Sequence, residues 1–492
     1  MNKASFQNSE DDKQQIQKTA FVSGNFNILH VGHQRLFEAA LGFADRLVVG
    51  VYADKIAGAT AYVPEADRLR GVQNNALVVD VFLIENSVVE EILRLKPAFV
   101  IKGREHESAD NIEEAAVGQY GGKLLFTSGA PYLPLLSKIK SYDKIGPRPF
   151  DLAELGFLRR HDVDVIAINN RIKRFSDLKV CVIGDVIVDE YVECVALGMS
   201  HEDYNTVLSP ASSQQFIGGA GVVARHALSL GAEVVLLSVV GDDDTGVMID
   251  ESLTGEGVVT SLIRDPQRPT TRKQRFQIEN STRFRLSYLK QSTISRAHEA
   301  ALIDQFDSVA DGLDLVIFSD FSYGCITQNL IGHISKSIQK SGGILAADSQ
   351  SSSQLGDITR YKNMDIISPT EREARLSLRN FDDGLVEIAD KIRTQIEAKN
   401  IFLSIGSEGL LVQTNVGSKG RVVTDRLPAF NRFPVDVSGA GDALLVAGAM
   451  ALAVGASIWE AGVIGSIAAG IQVGRRGNIP ISIHEMSKAV LS

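Results

Sequence analysis

The feature that most constrains the fold is an alternation of short apolar runs with amphipathic segments, which occurs in two separate series along the chain. In the first series, apolar runs predict strands at 20–23, 47–52, 99–102 and 123–126, and helical patterns occupy 34–42 and 88–95. Strands that alternate with helices are typical of a parallel sheet covered by helices. The sequence therefore predicts an α/β fold for this part of the chain.

The second series opens with an apolar run at 180–183. Further runs predict strands at 234–240, 315–319, 344–347, 366–368 and 401–405, and two long helices are predicted at 439–454 and 459–473. A segment with Gly146, Pro147 and Pro149, followed by a charged helical stretch, separates the two series and predicts a connector with a docking helix. We predict a disordered lead-in at 1–17, a first domain at 18–140, a connector at 141–177 and a second domain at 178–492.

The composition narrows the class of protein. Hydrophobic residues make up 44% of the 492 residues, charged residues 22%, and the formal net charge is −10. Since no basic run is long enough to follow a nucleic-acid backbone, nucleic acid is excluded as a partner. The three cysteines form no CxxC pair, the N-terminus has no signal-peptide core, and the apolar stretch 443–453 is too short to span a membrane. We expect a cytoplasmic enzyme without a membrane partner.

The strongest chemical signal is the run DVSGAGD at 436–442, which is followed by a long apolar helix. Its glycines let successive backbone N–H groups of Gly439, Ala440 and Gly441 point the same way, and the start of the helix adds its positive end. Together they predict an anion hole for a transferring phosphoryl group, and we expect Asp442 to be ionised there and to act as a general base. The structural alternative is an Asp-rich cap on a core helix.

This run resembles the DTGAGD signature of the ribokinase-like (PfkB) carbohydrate kinases, and residues 179–492 follow that family in order. The resemblance implies a ribokinase-like α/β domain with a small β lid, Mg²⁺, and ATP as the phosphoryl donor. It also implies roles for single residues: sugar contacts by Asp185, Gly218 and Gly219, nucleotide contacts by Ser404, Gly406 and Gly409, and a water-mediated Mg²⁺ contact by Glu373.

The sequence differs from the motifs of that family at two positions. Thr370 stands where the family motif before Glu373 has Asn, and Val222 stands where Asn usually follows the glycine pair. The runs GDVIVDEY and PTTRKQR resemble the kinase half of bifunctional heptose-phosphate kinase/nucleotidylyltransferases. That likeness implies that Lys273, Arg275 and Arg285 face a substrate phosphate; a solvated strand face is the structural alternative.

The sequence argues against two other nucleotide-binding motifs. Residues 219–224 fit the dinucleotide pattern GxGxxA, but the preceding residues 213–217 are too polar for the buried strand that a dehydrogenase fold requires. No GxxxxGK[ST] run is present, which argues against a P-loop kinase.

The second chemical signal is GNFNILHVGH at 24–33, between a predicted strand and a predicted helix. His30 and His33 stand at the helix start, where imidazoles and the helix end are suited to donate hydrogen bonds to a polyphosphate, and Gly32 permits close approach. Core or capping histidines are the structural alternative. A zinc site is not favoured, since no third ligand lies nearby in the sequence.

This stretch resembles the HxGH nucleotidylyltransferases of the cytidylyltransferase-like branch, over residues 19–128. The resemblance implies a Rossmann-like domain, nucleotide contacts by Gly24, Asn25 and Phe26, and a substrate contact by Lys102. The chain has Asn27 where the family commonly has Asp. At 130–135 it reads APYLPL, where the family has a Ser/Thr-rich helix start that binds phosphates.

The two halves together predict a bifunctional enzyme of sugar-nucleotide synthesis, with the domain order of the heptose enzymes reversed. It would phosphorylate a sugar or a sugar phosphate with ATP and join a nucleotide from ATP or CTP to a sugar 1-phosphate. Its partners are then small-molecule sugar phosphates and nucleoside triphosphates, with a homodimer as the candidate assembly. Two alternatives stay open: a kinase whose N-terminal domain only binds nucleotide, and a non-catalytic sugar and nucleotide sensor.

Overall fold

The structure is a computed structural model that describes residues 17–107, 111–127, 152, 156–200, 206–279, 281–351, 355–416, 421–431 and 433–491. The chain divides into two compact units, Met1–Lys140 and Ser141–Ser492. The predicted lead-in up to residue 16, the segment 130–135 and the start of the predicted connector lie outside the described residues.

The first unit is built on a five-stranded sheet with the order β3-β2-β1-β4-β5, and the observed neighbours are parallel. Its strands are β1 (Thr19–Gly24), β2 (Arg46–Tyr52), β3 (Asp80–Ile84), β4 (Phe99–Gly103) and β5 (Lys123–Thr127). Its helices are α1 (Val31–Phe43), α2 (Asp54–Ala57), α3 (Glu65–Gln73), α4 (Val88–Leu95) and α5 (Ile112–Gly118).

This strand order indicates a ligand site at the carboxyl ends of β1 and β4. The chain moves outward from β1 to β2 and β3 on one side, and to β4 and β5 on the other, so the order reverses between β1 and β4. Ligands of open α/β sheets bind at the carboxyl ends of the strands beside such a reversal. The buried side chains of Phe21, Val48 and Val100 hold the strands against the helices, and the predicted Rossmann-like class is confirmed.

The second unit contains two sheets and a helical layer. Its strands are β6 (Lys179–Gly184), β7 (Val186–Met199), β8 (Thr206–Gly219), β9 (Glu233–Gly241), β10 (Val259–Asp265), β11 (Thr271–Ile278), β12 (Ser281–Tyr288), β13 (Leu315–Asp320), β14 (Ile344–Ser349), β15 (Ile366–Ile367), β16 (Asn400–Ser404), β17 (Leu410–Val416) and β18 (Arg421–Leu427). Its helices are α6 (Gly156–Arg160), α7 (Val165–Lys173), α8 (Ala220–Ser229), α9 (Asp244–Glu256), α10 (Arg296–Val309), α11 (Gln328–Ser341), α12 (Glu371–Leu378), α13 (Leu385–Gln395), α14 (Ala440–Ala453), α15 (Ile458–Gln472) and α16 (Ile483–Leu491).

The larger sheet has nine strands in the order β10-β9-β6-β13-β14-β15-β16-β17-β18. It is parallel from β10 to β16 and ends in the antiparallel strands β17 and β18. Parallel strands covered on both faces read as continuous apolar runs, as in β6 and β13. Helix α14 is buried along most of its length in the main core. Among the described residues, no helix has the length and apolarity needed to cross a membrane.

The smaller sheet forms a lid with the order β12-β11-β7-β8. The resemblance implied a β lid, and the ribokinase-like α/β class with such a lid is confirmed. The residues of the GxGxxA pattern lie at the end of the antiparallel lid strand β8 and in α8. A dinucleotide fold would need a buried parallel strand before this glycine turn. Residues 213–217 instead belong to the lid strand β8, which accounts for their polar character.

The predicted connector contributes helices to the second unit. Phe157 of α6 and Ile168 of α7 belong to the main core of that unit. Arg160 makes two hydrogen bonds to the buried carboxylate of Asp425, at 2.8 and 3.0 Å, and His161 makes a third at 2.7 Å. The segment 156–173 is therefore packed onto the second unit by apolar contacts and by this charged cluster.

Candidate active site

In the first unit, His30 and His33 come together at the start of α1. His30 is the N-cap residue, and its Nδ1 accepts a hydrogen bond of 3.0 Å from the Gly32 N–H, so the ring proton of the neutral imidazole lies on Nε2. The two ring centroids lie 4.1 Å apart. Burial, and then the neighbouring His30, lower the pKa of His33 to about 4. His33 is therefore neutral at pH 7 in the ligand-free protein and offers one ring N–H.

The backbone before these histidines turns sharply, and Phe26 accounts for the turn. Phe26 has a left-handed φ of 52°, and its buried ring packs 5.3 Å from the ring of His33 and 5.8 Å from that of Phe37. The side chain of this predicted nucleotide-binding residue is thus part of the core, which leaves its backbone for any ligand contact. Gly24 lies directly above the ring, where a Cβ atom would sit 3.2 Å from two ring carbons.

A buried arginine that the sequence analysis did not identify holds this turn in place. Arg68 of α3 is almost completely buried and donates hydrogen bonds to the carbonyls of Asn25 at 2.7 Å and Val63 at 2.8 Å. It also pairs with Asp54 at 2.6 Å. Asn25 itself donates to the Thr60 hydroxyl at 2.8 Å. These contacts tie the segment 60–63 to the turn after β1.

Asn27 is the first departure from the HxGH pattern, and its side-chain amide both donates and accepts hydrogen bonds. Its Nδ2 donates to the carbonyl of Thr60 at 2.7 Å, and its Oδ1 accepts from the N–H groups of Tyr62 and Val63. A carboxylate could not donate to that carbonyl. The amide therefore suits this position as a clamp on the segment 60–63.

Lys102 is the penultimate residue of β4 and lies at the same edge of the sheet as Gly24. Its ammonium group pairs with the buried carboxylate of Glu113 at 2.8 Å, with side-chain exposures of 18% and 4%. The predicted substrate residue is thus held by a partner on α5, which the sequence analysis did not identify.

In the second unit, the segment 436–441 forms the predicted turn before α14. The carboxylate of Asp436 accepts hydrogen bonds from the N–H groups of Ser438 at 2.9 Å and Gly477 at 3.1 Å. Gly439 is the N-cap residue with a left-handed φ of 75°, and a Cβ atom there would lie 2.6 Å from Oδ1 of Asn478. Gly441 faces open space, since a Cβ atom there would meet no atom within 4 Å. The N–H of Ala440 makes one long hydrogen bond, 3.4 Å, to the carbonyl of Val437.

Asp442 lies in the first turn of α14 and is 6% exposed. We expected an ionised carboxylate, but burial raises the pKa of Asp442 to about 7, and the charges of Asp189 and Glu373 act in the same direction. The hydrogen bond from Gln350 and the charge of Lys273 oppose the rise. A carboxyl group with a pKa near the working pH is well suited to general-base catalysis.

Asp185, the predicted sugar-binding carboxylate, is used by the fold itself. Its two oxygens accept hydrogen bonds from the N–H groups of Phe321, Tyr323 and Cys325 at 3.0 to 3.2 Å. Burial and the neighbouring Asp320 raise its pKa to about 6. These bonds anchor the loop after β13, and the expected sugar contact by Asp185 stays a prediction.

Asp189, which lies four residues after Asp185 and within β7, is the carboxylate that reaches the site. It pairs with Arg275 of β11 at 2.5 Å, and its charge acts on Asp442. A Cβ atom on Gly218 would lie 2.5 Å from Oδ2 of Asp189. Gly219 has a φ of 60°, and a Cβ atom there would collide with the carbonyl of Asp185. Gly218 is thus required for close packing beside Asp189, and Gly219 for close packing beside the backbone of Asp185.

Lys273, Arg275 and Arg285, the residues predicted to face a phosphate, have different surroundings. The ammonium group of Lys273 lies 5.2 Å from the ring centroids of Phe321 and Tyr323, and its charge reaches Asp442. Arg275 packs on the ring of Tyr191 at 5.0 Å as well as pairing with Asp189. Arg285 stands opposite Arg275 in the register of β11 and β12 and is exposed. Lys273 and Arg275 therefore lie near the carboxylates, whereas Arg285 lies on an exposed strand.

The predicted nucleotide residues follow β16 at the carboxyl end of the sheet. Ser404 ends the strand and forms a parallel bridge with Thr370, the cap of α12. Gly406 and Gly409 have left-handed φ values of 62° and 98°, and a Cβ atom on Gly409 would collide with the carbonyl of Leu427. Nothing lies within 4 Å of a Cβ atom on Gly406, so this turn is open to a ligand.

The sequence from 177 to 485 matches the family model described as pfkB family carbohydrate kinase. The chain belongs to the pfkB family of carbohydrate kinases. Residues 21–120 match a second family model, described as cytidylyltransferase-like. The two predicted domain types and their order along the chain are confirmed.

Curated relatives and solved structures agree with this assignment. The chain is 28% identical over 314 residues to the "Bifunctional protein HldE" of Nitratiruptor sp., which covers 63% of this chain and 64% of that protein. It is 31% identical over 313 residues to the protein of the same name from Rhodopseudomonas palustris, which covers 63% of this chain and 62% of the relative. The chain thus spans a little under two thirds of the length of these relatives.

Two crystal structures of phosphofructokinase-2 from Escherichia coli share the fold of the pfkB domain. One is in complex with potassium, with a TM-score of 0.52 and 17% identity, and the other with substrates and products, with a TM-score of 0.51 and 18% identity. Each match covers 64% of this chain and 98% of the crystallised chain.

Three acidic residues of this pfkB domain lie close enough to act on one another through their charges. Asp348 near the end of β14 is buried, and burial together with Glu373 and Asp442 raises its pKa well above the usual range. Its Oδ1 has no hydrogen-bond partner among the described residues. Glu373 has its oxygens occupied, by the Ser351 N–H at 2.7 Å and by the N–H and hydroxyl of Thr370 at 2.9 and 2.8 Å.

This acidic cluster fits a hydrated divalent cation better than a directly bound one. Within the described ranges, no three His, Cys, Asp or Glu side chains are arranged to hold a metal ion directly. Mg²⁺ keeps several water ligands at phosphate-transfer sites. The partnerless oxygen of Asp348 and the concentrated negative charge are compatible with such an ion. The role of Thr370 as the cap of α12 also explains how the motif before Glu373 keeps its shape without Asn.

Proposed function

We propose that the pfkB domain transfers the γ-phosphoryl group of ATP to a hydroxyl group of a sugar phosphate of the heptose 7-phosphate type. The observation that carries the proposal is the buried Asp442 carboxylate next to the glycine turn 439–441, which is open at Gly441, with Lys273 and Arg275 on the lid nearby. A carboxylate, an anion-binding turn and lid cations are the groups that phosphoryl transfer to a charged acceptor requires.

In the proposed reaction, the acceptor hydroxyl gives its proton to Asp442 while its oxygen bonds to the γ-phosphorus. The bond from that phosphorus to the β,γ-bridging oxygen breaks, and ADP leaves. The N–H groups of Gly439 and Gly441 donate to the phosphoryl oxygens, and the start of α14 adds its positive end. Asp189 joins Asp185 as a proposed sugar contact, while Ser404 and Gly406 line the nucleotide side. Mg²⁺, when bound through water near Asp348 and Glu373, would neutralise charge on the phosphates.

We propose further that the first unit joins a nucleotide from CTP or ATP to a sugar 1-phosphate with release of pyrophosphate. In that reaction a phosphate oxygen of the sugar attacks the α-phosphorus, and the bond to the pyrophosphate oxygen breaks. The ring N–H groups of His30 and His33 and the start of α1 would stabilise the charge on the leaving group. The match to the cytidylyltransferase-like family and the bifunctional naming of the relatives support this step.

Two separate assays test the proposals. ADP formation is measured with ATP and a panel that contains heptose 7-phosphate, for the intact chain and for Asp442→Asn. Turnover that depends on the sugar and is lost in the variant supports the kinase, whereas turnover that survives in the variant contradicts the assigned base. Pyrophosphate release is measured with CTP or ATP and sugar 1-phosphates, with His33→Ala for comparison. Silence with every pair would favour a first unit that only binds nucleotide, the alternative raised by the sequence at 130–135.

We also propose that the chain forms a homodimer. Val195, Leu197 and Met199 on β7 are more than half exposed, and Phe284 on β12 is 49% exposed. Exposed apolar side chains that cluster on one sheet are typical of a surface that is covered in solution. Light scattering at micromolar concentration tests this proposal, and a monomer mass would contradict it.

A further inference from the structure

Gln350 is the residue that directly follows the end of β14 at the carboxyl edge of the large sheet. Its backbone N–H donates to the carbonyl of Asp320 at 2.8 Å, which fixes its position beside β13. Its side-chain Nε2 donates to Oδ1 of Asp442 at 2.8 Å. Gln350 also opposes the rise in the pKa of the neighbouring Asp348 carboxyl, which burial causes. One side chain thus links the Asp442 carboxylate to the end of the central sheet.

The contact distinguishes the two oxygens of Asp442. Oδ1 is held by Gln350, whereas Oδ2 accepts no hydrogen bond from the side chains and backbone groups that the structure describes. A carboxylate held through one oxygen keeps the other at a fixed place, because the group is planar and its carbon lies on a rigid helix. An acceptor hydroxyl would meet that second oxygen.

The surrounding charges explain why a neutral donor suits this position. Asp189 from β7, Asp348 from β14 and Glu373 from α12 face the Asp442 region with negative charge, and Lys273 from β11 faces it with positive charge. A second cation would pair with the carboxylate and weaken it as a base. A neutral amide stabilises the ionised form by one hydrogen bond and leaves the group basic.

We propose that Gln350 is a positioning residue for phosphoryl transfer, which holds Oδ1 of Asp442 so that Oδ2 receives the proton of the acceptor hydroxyl. The inference rests on the proposed kinase function. Gln350 does not take part in the exchange of protons or phosphoryl groups; it acts through Asp442.

The test uses the intact chain with Gln350→Met, which keeps the length of the side chain and removes the donor, and Gln350→Ala as a second variant. The control is Gln339→Met on α11, an exposed glutamine whose amide donates only to the carbonyl of Asn363, at 3.3 Å, among the described residues. Sugar-dependent ADP formation is followed from pH 5.5 to 9.5, and melting temperatures check the fold.

We expect both Gln350 variants to melt like the wild type and to lose kcat by about tenfold at pH 7, with KM for ATP unchanged. The acid limb of kcat should move up by about one pH unit, since the ionised form of Asp442 loses a donor. The control should match the wild type in every readout. Unchanged kcat and an unmoved limb in Gln350→Met, in an otherwise active enzyme, would overturn the inference, and so would unfolding of both variants. An inactive wild type would instead contradict the proposed function.

Discussion

Two glycines at the start of α14, Gly439 and Gly441, lead to opposite predictions for stability when each is replaced by alanine. Gly439 has a φ of 75°, which an alanine adopts at a cost of about 1–2 kcal/mol, and its new methyl group would lie 2.6 Å from Oδ1 of Asn478. Gly441 lies within the helix and has no atom within 4 Å of its Cβ position. Gly441→Ala should therefore stabilise the protein by about 0.5–1 kcal/mol, because alanine is the better helix former.

In the proposed reaction, the phosphoryl group occupies the open space beside Gly441. A methyl group there would push the phosphoryl oxygens away from the N–H groups of the turn, and loss of such a donor lowers kcat by about 10² to 10³. Gly441→Ala should thus melt at or above the wild-type temperature and yet lose kcat, whereas Gly439→Ala should lose both stability and activity. Thermal melting and sugar-dependent ADP formation measure both effects. A stable Gly441→Ala enzyme with wild-type kcat would refute the assignment of the turn as the phosphoryl site.

Three further predictions concern Asp425, Asp442 and Asn27. Asp425→Asn should lower the stability of the second unit by about 3 kcal/mol in urea melts, because the positive charge of Arg160 then has no carboxylate partner. Asp177→Asn, which removes the exposed pair with Arg174, should change the stability little. The acid limb of kcat/KM for the kinase should lie near pH 7, because only ionised Asp442 accepts a proton and its pKa is about 7; a limb near pH 4 would contradict the buried position. Asn27→Asp should cost about 1–2 kcal/mol in the melting of the first unit, since the donor to the Thr60 carbonyl is lost.

Much of the architecture follows from local patterns in the sequence. The apolar runs at 20–23, 180–183 and 315–319 each lie inside an observed strand, because strands buried on both faces of a parallel sheet must be apolar along their length. The edge strand β3 is not predicted, since it is only partly buried and Asp80 interrupts its apolar run. The long lid strands are implied only by the resemblance, since their two faces carry mixed polar and charged residues.

The part of the candidate site that lies within one short run of sequence, 436–442, could be predicted. The part in which distant segments meet could not be predicted. Asp185 and Asp189 stand four residues apart on the same motif, and only the bonds from the loop 321–325 separate the anchored carboxylate from the one in the site. Gln350 follows a strand in a run of serines and carries no motif, yet it contacts Asp442 across 92 positions of sequence.

The most direct test of the central claim is transfer of label from γ-³²P-ATP to the sugar phosphate by the intact chain, with Asp442→Asn for comparison. We predict a labelled sugar bisphosphate from the wild type at pH 8, and a yield lower by about 10³-fold or more from a variant that melts normally. Labelled product at the wild-type rate from Asp442→Asn would contradict the account, because the proton would then leave the acceptor by another route.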